Sequence, residues 1–271
     1  MGENEKRAVF ITGASAGIGA AAVEAFAAAG WHVVAGARRK ERLETLAVSV
    51  TARHPEVRVL PTVCDVNKDD DVNAAVQFAR ENFGRLDCLV NNAGYGTYGT
   101  VEQTELEAFR ANMETNYFGV LRCTKTALPL LRETAKRRPK GRWGASVIMI
   151  SSFVGRRALP AMSAYCATKF ALEGLSESLR IELYDDRISV SVVNPGVTQT
   201  EFFMEAQGRR PKGYPHPQAG MTAEEVADVI LAATKRPFRN RYLTGWGKLG
   251  LLVQWAAPRV FDFGAAKTWK G

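Results

Sequence analysis

Six short apolar runs are spaced along this chain, separated by longer stretches in which apolar residues recur every three or four positions. The runs are Arg7–Thr12, Trp31–Ala37, Val57–Val66, Leu86–Gly94, Ala145–Ser151 and Ile188–Asn194. Apolar runs of this length, with little polar alternation, predict strands covered on both faces, as in a parallel sheet. Between them the periodic stretches predict helices: an alanine-rich one closing at Gly30, one through KERLETL, one beginning near Asp69, a long amphipathic segment from about Glu102 to Arg138, and one from Ser163 to Leu183. Strand and helix alternate throughout, which predicts an α/β fold built from repeated βαβ units. No composition shift, repeat or low-complexity segment divides the chain, so residues 1–271 read as one domain.

Composition narrows the function classes. The 271 residues are 46% apolar, enough for a substantial core. With 36 Lys+Arg against 28 Asp+Glu the net charge is +8. The basic clusters at Lys136–Arg142 and Gly208–Lys212 carry no interleaved aromatics. A nucleic-acid platform is therefore not expected, and the charge suits an anionic cofactor. Cys64, Cys88, Cys123 and Cys166 show no C-x-x-C spacing, which argues against a disulfide frame or zinc site and for a reducing compartment. His32, His54 and His216 are far apart, and no metal constellation is expected. The N-terminus lacks a signal-peptide pattern and no run is long enough to span a bilayer, so the expected location is cytoplasmic.

The first strand runs straight into G-A-S-A-G-I-G and a helix. In that context Gly13, Gly17 and Gly19, with Ile18 between the last two, let the backbone approach a pyrophosphate at the helix start. The second strand ends not in an acid but in Arg38 and Arg39, which suits a ribose 2′-phosphate and so NADP(H) over NAD(H). Arg38 is assigned to the phosphate, with Ser15 adding a hydroxyl; Arg39 is assigned to a solvated helix start. Asp65, before Val66, either hydrogen-bonds an adenine amine or caps the next helix. Asn91, Ala93 and Gly94 close the fourth strand in the crevice where α/β sheets bind ligands. Asn116 stands on a mostly apolar stretch, either as a buried amide satisfied by nearby backbone or as an anchor for water or a lysine.

Tyr165 and Lys169 are four apart on a predicted helix and so share one face. A tyrosine ordinarily titrates near pH 10, and an adjacent ammonium is expected to lower that value and make it a general acid/base. Ser152, at the tip of the fifth strand, is placed to hydrogen-bond a carbonyl oxygen as charge develops there. The loop from Thr200 to Gly220 is long enough to be a substrate lid.

Taken together, T-G-A-S-A-G-I-G, C-D-V, N-N-A-G, Asn116, Ser152 thirteen residues before Tyr165, Y-C-A-T-K and N-P-G resemble the short-chain dehydrogenase/reductases over nearly the whole chain. The resemblance implies a doubly wound, seven-stranded Rossmann fold and hydride transfer between a nicotinamide cofactor and a carbonyl or alcohol. It implies that Tyr165 is the proton donor and that Lys169 lowers its pKa and binds the nicotinamide ribose. It further implies that Ser152 orients the substrate oxygen and Asn116 holds a relay water. By the same resemblance, Asn91, Gly94, Pro195, Gly196 and Thr200 meet the cofactor, and the chain forms a homodimer or homotetramer through the Glu102 and Ser163 helices. Two positions depart from the pattern: Thr198 stands where the family often has an aliphatic residue, and Ala16 where NADP-preferring members often carry a basic one. The phrases around Asn91, Asn116 and Tyr165 are most similar to the hydroxysteroid and retinol dehydrogenase subgroup, implying a lipophilic ketone or secondary alcohol. A 3-oxoacyl thioester on an acyl carrier protein is the alternative substrate, and a non-catalytic NADP-binding regulator is the alternative from another class. The apolar extension at 246–271, with Leu249, Leu251, Leu252, Val253, Trp255 and Phe261, either lines a lipophilic pocket, rests on a membrane surface, or covers a core or subunit contact.

Overall fold

All six apolar runs form strands. In the computed structural model, which describes residues 6–139, 143–203, 206–208, 220–244 and 256–268, they are β1 (Ala8–Thr12), β2 (His32–Ala37), β3 (Val59–Val63), β4 (Cys88–Asn91), β5 (Ala145–Ile150) and β6 (Ile188–Asn194). A seventh, β7 (Asn240–Tyr242), completes a sheet of order β3-β2-β1-β4-β5-β6-β7. Every pairing is parallel; Phe10 at the centre of β1 faces Val34 on one side and Leu89 on the other. The sheet is the doubly wound Rossmann type.

Helices cover both faces. On one, α1 (Gly17–Ala28), α2 (Lys40–Arg53) and α7 (Ala223–Lys235) set Ala22, Val23, Phe26, Leu43, Val226 and Ile230 against Val9, Ile11 and Val33. On the other, α3 (Asp69–Phe83), α5 (Gly119–Lys136) and α6 (Ser163–Glu182) set Val72, Val76, Leu130, Leu131, Leu172 and Leu179 against Phe10, Leu89 and Met149. Alternate residues of β1 thus feed opposite layers, as the two-residue period of a strand requires. The four cysteine thiols are free and buried.

Two features depart from the sequence reading. The single amphipathic stretch expected from Glu102 to Arg138 is α4 (Leu106–Met113), a π-helical turn (Glu114–Phe118) and α5. The residue beginning α3 is preceded by Lys68 as its cap, not Asp65. The short α8 (Pro258–Thr268) follows β7 in the chain. Residues 209–219 of the expected lid, and Leu249, Leu251, Leu252, Val253 and Trp255 of the apolar extension, lie outside the described residues, as does the side chain of Phe261. Among the described residues no helix is long and apolar enough to cross a membrane, and no group of acidic, His and Cys side chains is arranged to hold a metal ion.

The strand order reverses between β1 and β4. At such a switch point the crossover connections leave in opposite directions and open a crevice at the strands' carboxyl ends. The residues singled out in the sequence lie at or beside that end.

Candidate active site

The turn after β1 is shaped by close approach. Gly13 and Gly17 hold φ values of +66° and +52°, where a side chain is strained. A Cβ on Gly19 would lie 2.2 Å from the Gly13 carbonyl oxygen. A Cβ on Gly17 would lie 3.0 Å from the side chain of Thr200, which places Thr200 over the turn. Ala16 caps α1 without a side-chain hydrogen bond, and the first turn carries no acid. The helix therefore begins with uncapped peptide N–H groups and its positive dipole end, the electrostatics that favour a phosphate.

At the adenosine end the two adjacent arginines take different partners. Arg39, not Arg38, meets Ser15, donating from Nε to Oγ at 3.1 Å. Arg39 and Arg42 both pair with Glu201, at 3.3 and 2.7 Å. Arg38 is exposed and lines a separate polar cavity of about 550 Å³ with Asn67, Tyr95, Arg110 and Gln207. The pleat decides between adjacent arginines: leaving β2, only one can turn toward the glycine loop. Asp65 accepts from the Asn67 N–H at 3.1 Å, closing a local turn, while its own N–H donates to Asp71 at 2.9 Å. Val66 is buried against Gly119.

At the end of β4, Thr12 and Asn92 stitch the two central strands together. Thr12 Oγ1 accepts from the N–H groups of Asn92 and Ala93 at 3.0 and 3.1 Å, and Asn92 Nδ2 donates to the Thr12 carbonyl at 2.9 Å. Asn91 donates to Thr124 at 3.0 Å, and its buried Oδ1 has no hydrogen-bond partner among the described residues. Such an acceptor is costly in a finished core and is suited to a ligand donor. Gly94 packs on Asn116, whose Oδ1 would sit 2.8 Å from an added Cβ. Asn116, fully buried in the π-helical turn, clamps Tyr95 by accepting from its N–H at 3.0 Å and donating to its carbonyl at 2.9 Å. It also donates to Thr168 Oγ1 at 3.2 Å, the residue before Lys169.

Ser152 leaves β5 in extended conformation and starts a 3₁₀ turn, Phe153–Gly155, accepting from the Val154 N–H at 3.4 Å. Tyr165 and Lys169 are buried on α6, with Lys169 Nζ 5.6 Å from the centre of the Tyr165 ring. Lys169 donates to the Ile150 carbonyl at 2.7 Å. Burial pushes the Tyr165 phenol well above its ordinary value, and a hydrogen bond with Ser152 pulls only weakly the other way. The expected lowering by Lys169 is therefore corrected: desolvation of the phenolate dominates here, and Lys169 is turned to a backbone acceptor. Burial brings Lys169 itself down to about 8, opposed by Glu173.

Apolar side chains close around the phenol. Tyr98, Val154, Met162 and Cys166 are buried with Tyr165, and Leu159, Phe202 and Ala206 pack against them. The Phe202 ring lies 5.5 Å from that of Tyr165. The segment after β4 is tied to the one after β6, with Tyr98 N–H donating to the Gln207 carbonyl at 2.7 Å and Gln207 N–H to the Gly96 carbonyl at 3.0 Å. Pro195 and Gly196 follow β6 at the same end, the Pro195 carbonyl accepting from the Phe153 N–H at 3.0 Å. Thr12, Asn92, Phe202 and Glu173 were not singled out from the sequence. Their only signal was position: each lies within a few residues of a motif, on a side chain whose direction sequence does not fix.

The comparisons with known proteins agree with this geometry. A family model for short chain dehydrogenases matches residues 7–210. The chain is 34% identical over 265 residues to dehydrogenase/reductase SDR family member 7B of Xenopus laevis, covering 93% of this chain and 79% of that one. It is 36% identical over 276 residues to the uncharacterized oxidoreductase YusZ of Bacillus subtilis, covering 93% and 94%. A short chain dehydrogenase from Burkholderia cenocepacia, solved in complex with NADP, superposes with a TM-score of 0.78 at 28% identity over 99% of both chains. The chain belongs to the short-chain dehydrogenase/reductase family, and is an oxidoreductase of the kind that uses a nicotinamide cofactor.

Proposed function

We propose that this oxidoreductase interconverts a lipophilic ketone and its secondary alcohol, with Tyr165, Ser152, Lys169 and Asn116 as its working residues. The apolar enclosure of the Tyr165 hydroxyl by Tyr98, Val154, Leu159, Met162 and Phe202 carries the reading. It offers a substrate contact area and few paired polar groups, so the hydrophobic effect holds the substrate.

The cofactor fits the residues present. The glycine turn and the uncapped start of α1 receive the pyrophosphate, Ser15 and Arg39 the 2′-phosphate, and the Asn91 acceptor, Gly94, Pro195, Gly196 and Thr200 line its path. Bound there, it supplies or accepts the hydride at the substrate carbon. Ser152 orients the carbonyl oxygen. Tyr165, protonated at neutral pH and more so for its burial, holds the proton that oxygen takes as it becomes an alkoxide. An alkoxide is a stronger base than a phenolate, so the transfer runs downhill. Lys169, a cation about one helical turn away, steadies the phenolate left behind. Phe202 and its neighbours exclude water that would compete for the oxygen.

The same reading treats residues 1–271 as one domain and the molecule as an oligomer. Exposed Phe118 and Phe170, each 45% exposed beside α5 and on α6, support a contact through those helices. Exposed Val260 and Phe263 on α8 support a peripheral membrane contact of an otherwise cytoplasmic protein.

The test is loss of NADPH absorbance with a steroid ketone, retinal, an aromatic diketone and a 3-oxoacyl thioester. NADPH-dependent turnover of a free lipophilic ketone, abolished in Tyr165→Phe with NADPH binding retained, is the expected result. Turnover confined to the thioester would move the assignment to acyl-carrier substrates. Tight NADPH binding without turnover of any carbonyl would favour a regulatory protein.

A further inference from the structure

Behind Lys169, on the side away from the phenol, α6 carries an acid that the reaction as described does not use. Glu173 lies one turn beyond Lys169 and is only 3% exposed. A carboxylate at that depth persists only when it is paired and hydrogen-bonded. Its partners come from three other elements of the site. Arg156, in the loop that Ser152 begins, approaches it at 3.2 Å. Asn240 of β7 donates to Oε2 at 2.5 Å. Asn194, the last residue of β6, turns one end of its amide to two acceptors, Glu173 Oε1 at 2.8 Å and the Ser152 carbonyl at 2.9 Å, which assigns the nitrogen to that end. Gly155 packs on the same spot: an added Cβ would lie 3.1 Å from the Lys169 carbonyl and 3.3 Å from Glu173 Cγ.

The charges that face this carboxylate are Lys169 and Arg180 from α6, Arg156 from the Ser152 loop, and the Tyr242 phenol from β7, with Glu177 and Arg239 acting on the same Arg180. Arg156 divides itself among them, pairing also with Glu177 at 2.5 Å and hydrogen-bonding Tyr242. Glu173 is the group whose charge opposes the effect of burial on Lys169. A side chain serving only to fasten Arg156 would need neither the Asn194 bridge to Ser152 nor a place beside the buried ammonium.

We propose that Glu173 is a positioning residue of this active site, whose carboxylate is the counter-charge of Lys169 and the junction fixing the Ser152 loop, the end of β6 and β7 to α6. It touches neither substrate nor cofactor and acts through Lys169 and the Ser152 backbone. This rests on Lys169 being the lysine that works with Tyr165. The carboxylate holds Lys169 in its cationic form across the neutral range, and Glu173 sets where that form is lost as pH rises.

The test is a pH titration of the Lys169 side chain by NMR in the full chain carrying [13Cε]lysine, the signal being identified by its disappearance in Lys169→Arg. In Glu173→Gln the midpoint moves down by about one pH unit, the effect of removing a buried opposite charge one helical turn away. Glu173→Asp, which keeps the charge, restores it to within about 0.3 pH unit of wild type. In steady-state assays the alkaline fall in kcat moves down with the midpoint in Glu173→Gln while KM for the carbonyl changes less than kcat. A folded Glu173→Gln protein with the wild-type midpoint would overturn the proposal. Should that variant not fold, Arg156→Gln, on a side chain 36% exposed, serves in its place. Freed of the shared guanidinium, Glu173 then raises the Lys169 midpoint, and an unchanged midpoint would again overturn the idea. If the wild-type chain turns over no carbonyl, the substrate reading fails while the titration still decides the role of Glu173.

Discussion

Replacing Gly19 by alanine sets two effects of opposite sign against each other. Gly19 is the third residue of α1, and alanine inside a helix is favoured over glycine by about 1 kcal/mol. The added Cβ, however, meets the Gly13 carbonyl oxygen at 2.2 Å and Asn92 Nδ2 at 2.7 Å, where real Cβ contacts stay beyond 3.0 Å. The nearer neighbour is backbone, anchored by the Asn92 hydrogen bond to the Gly13 carbonyl at 3.2 Å, and cannot swing aside like a side chain. The start of α1 must therefore back away from the turn by most of an ångström, an overpacking cost of about 3 kcal/mol at the upper end of the usual range. The net is a destabilisation of about 2 kcal/mol, a fall in Tm of about 4 °C for a chain of this size. The displaced N–H groups are those expected to meet the pyrophosphate, so the NADPH Kd rises at least about tenfold, or about 1.4 kcal/mol. Gly174→Ala is the matched control: Gly174 is helical and exposed, and an added Cβ there meets nothing within 4 Å. It raises Tm by about 2 °C, from a gain of about 0.5–1 kcal/mol. Differential scanning fluorimetry with and without NADPH reads both variants. A Gly19→Ala protein with unchanged or higher Tm and unchanged NADPH affinity would refute the close-approach argument.

Four further outcomes follow from the structure. Arg39→Ala weakens NADPH binding by about 10- to 100-fold, the loss of one charge-assisted phosphate bond, and leaves NADH nearly unaffected, whereas Arg38→Ala changes NADPH binding little; nicotinamide fluorescence titration separates them. Activity falls as pH rises through about 8, where Lys169 loses its proton, rather than near its ordinary 10.5. Because the folded-state value lies below the unfolded one, the Lys169 contribution to stability is complete above 10.5 and is lost as pH falls through about 8, so urea midpoints of wild type relative to Lys169→Met rise between those limits. Ala161 holds φ +48°, and Ala161→Gly relieves that strain, raising stability by about 1 kcal/mol in urea denaturation.

The strands were legible because a parallel sheet covered on both faces leaves short, largely apolar runs broken only by small polar residues, as in Ala145–Ile150 and Ile188–Asn194. The strand without such a run was not: β7 is Asn-Arg-Tyr, an edge that pairs with β6 alone. The spacing of Tyr165 and Lys169 gave their shared face directly. It did not give the ionisation of Tyr165, which depends on how thoroughly Tyr98 and Phe202, from distant segments, remove water together with the neighbouring Met162. The choice between Arg38 and Arg39 likewise turns on a backbone direction at the end of β2, for which adjacent identical residues offer no pattern. The break in the Glu102–Arg138 stretch is a matter of hydrogen-bond phase, and the apolar periodicity on either side of Asn116 does not register it.

The buried cysteines make the native protein its own chemical clock. Burial pushes the Cys64 thiol up to about 12 and raises those of Cys88, Cys123 and Cys166 as well. Since the thiolate is the reactive species, alkylation at neutral pH proceeds only through openings that wet each sulfur. Cys88, fully buried in the central β4, samples the rarest event, the parting of the sheet. Cys166 stands next to Tyr165 in the small apolar cluster beneath Phe202 and samples the parting of that wall alone. The ratio of the two labelling rates separates breathing of the Tyr165 cluster from breathing of the whole molecule, without any introduced probe.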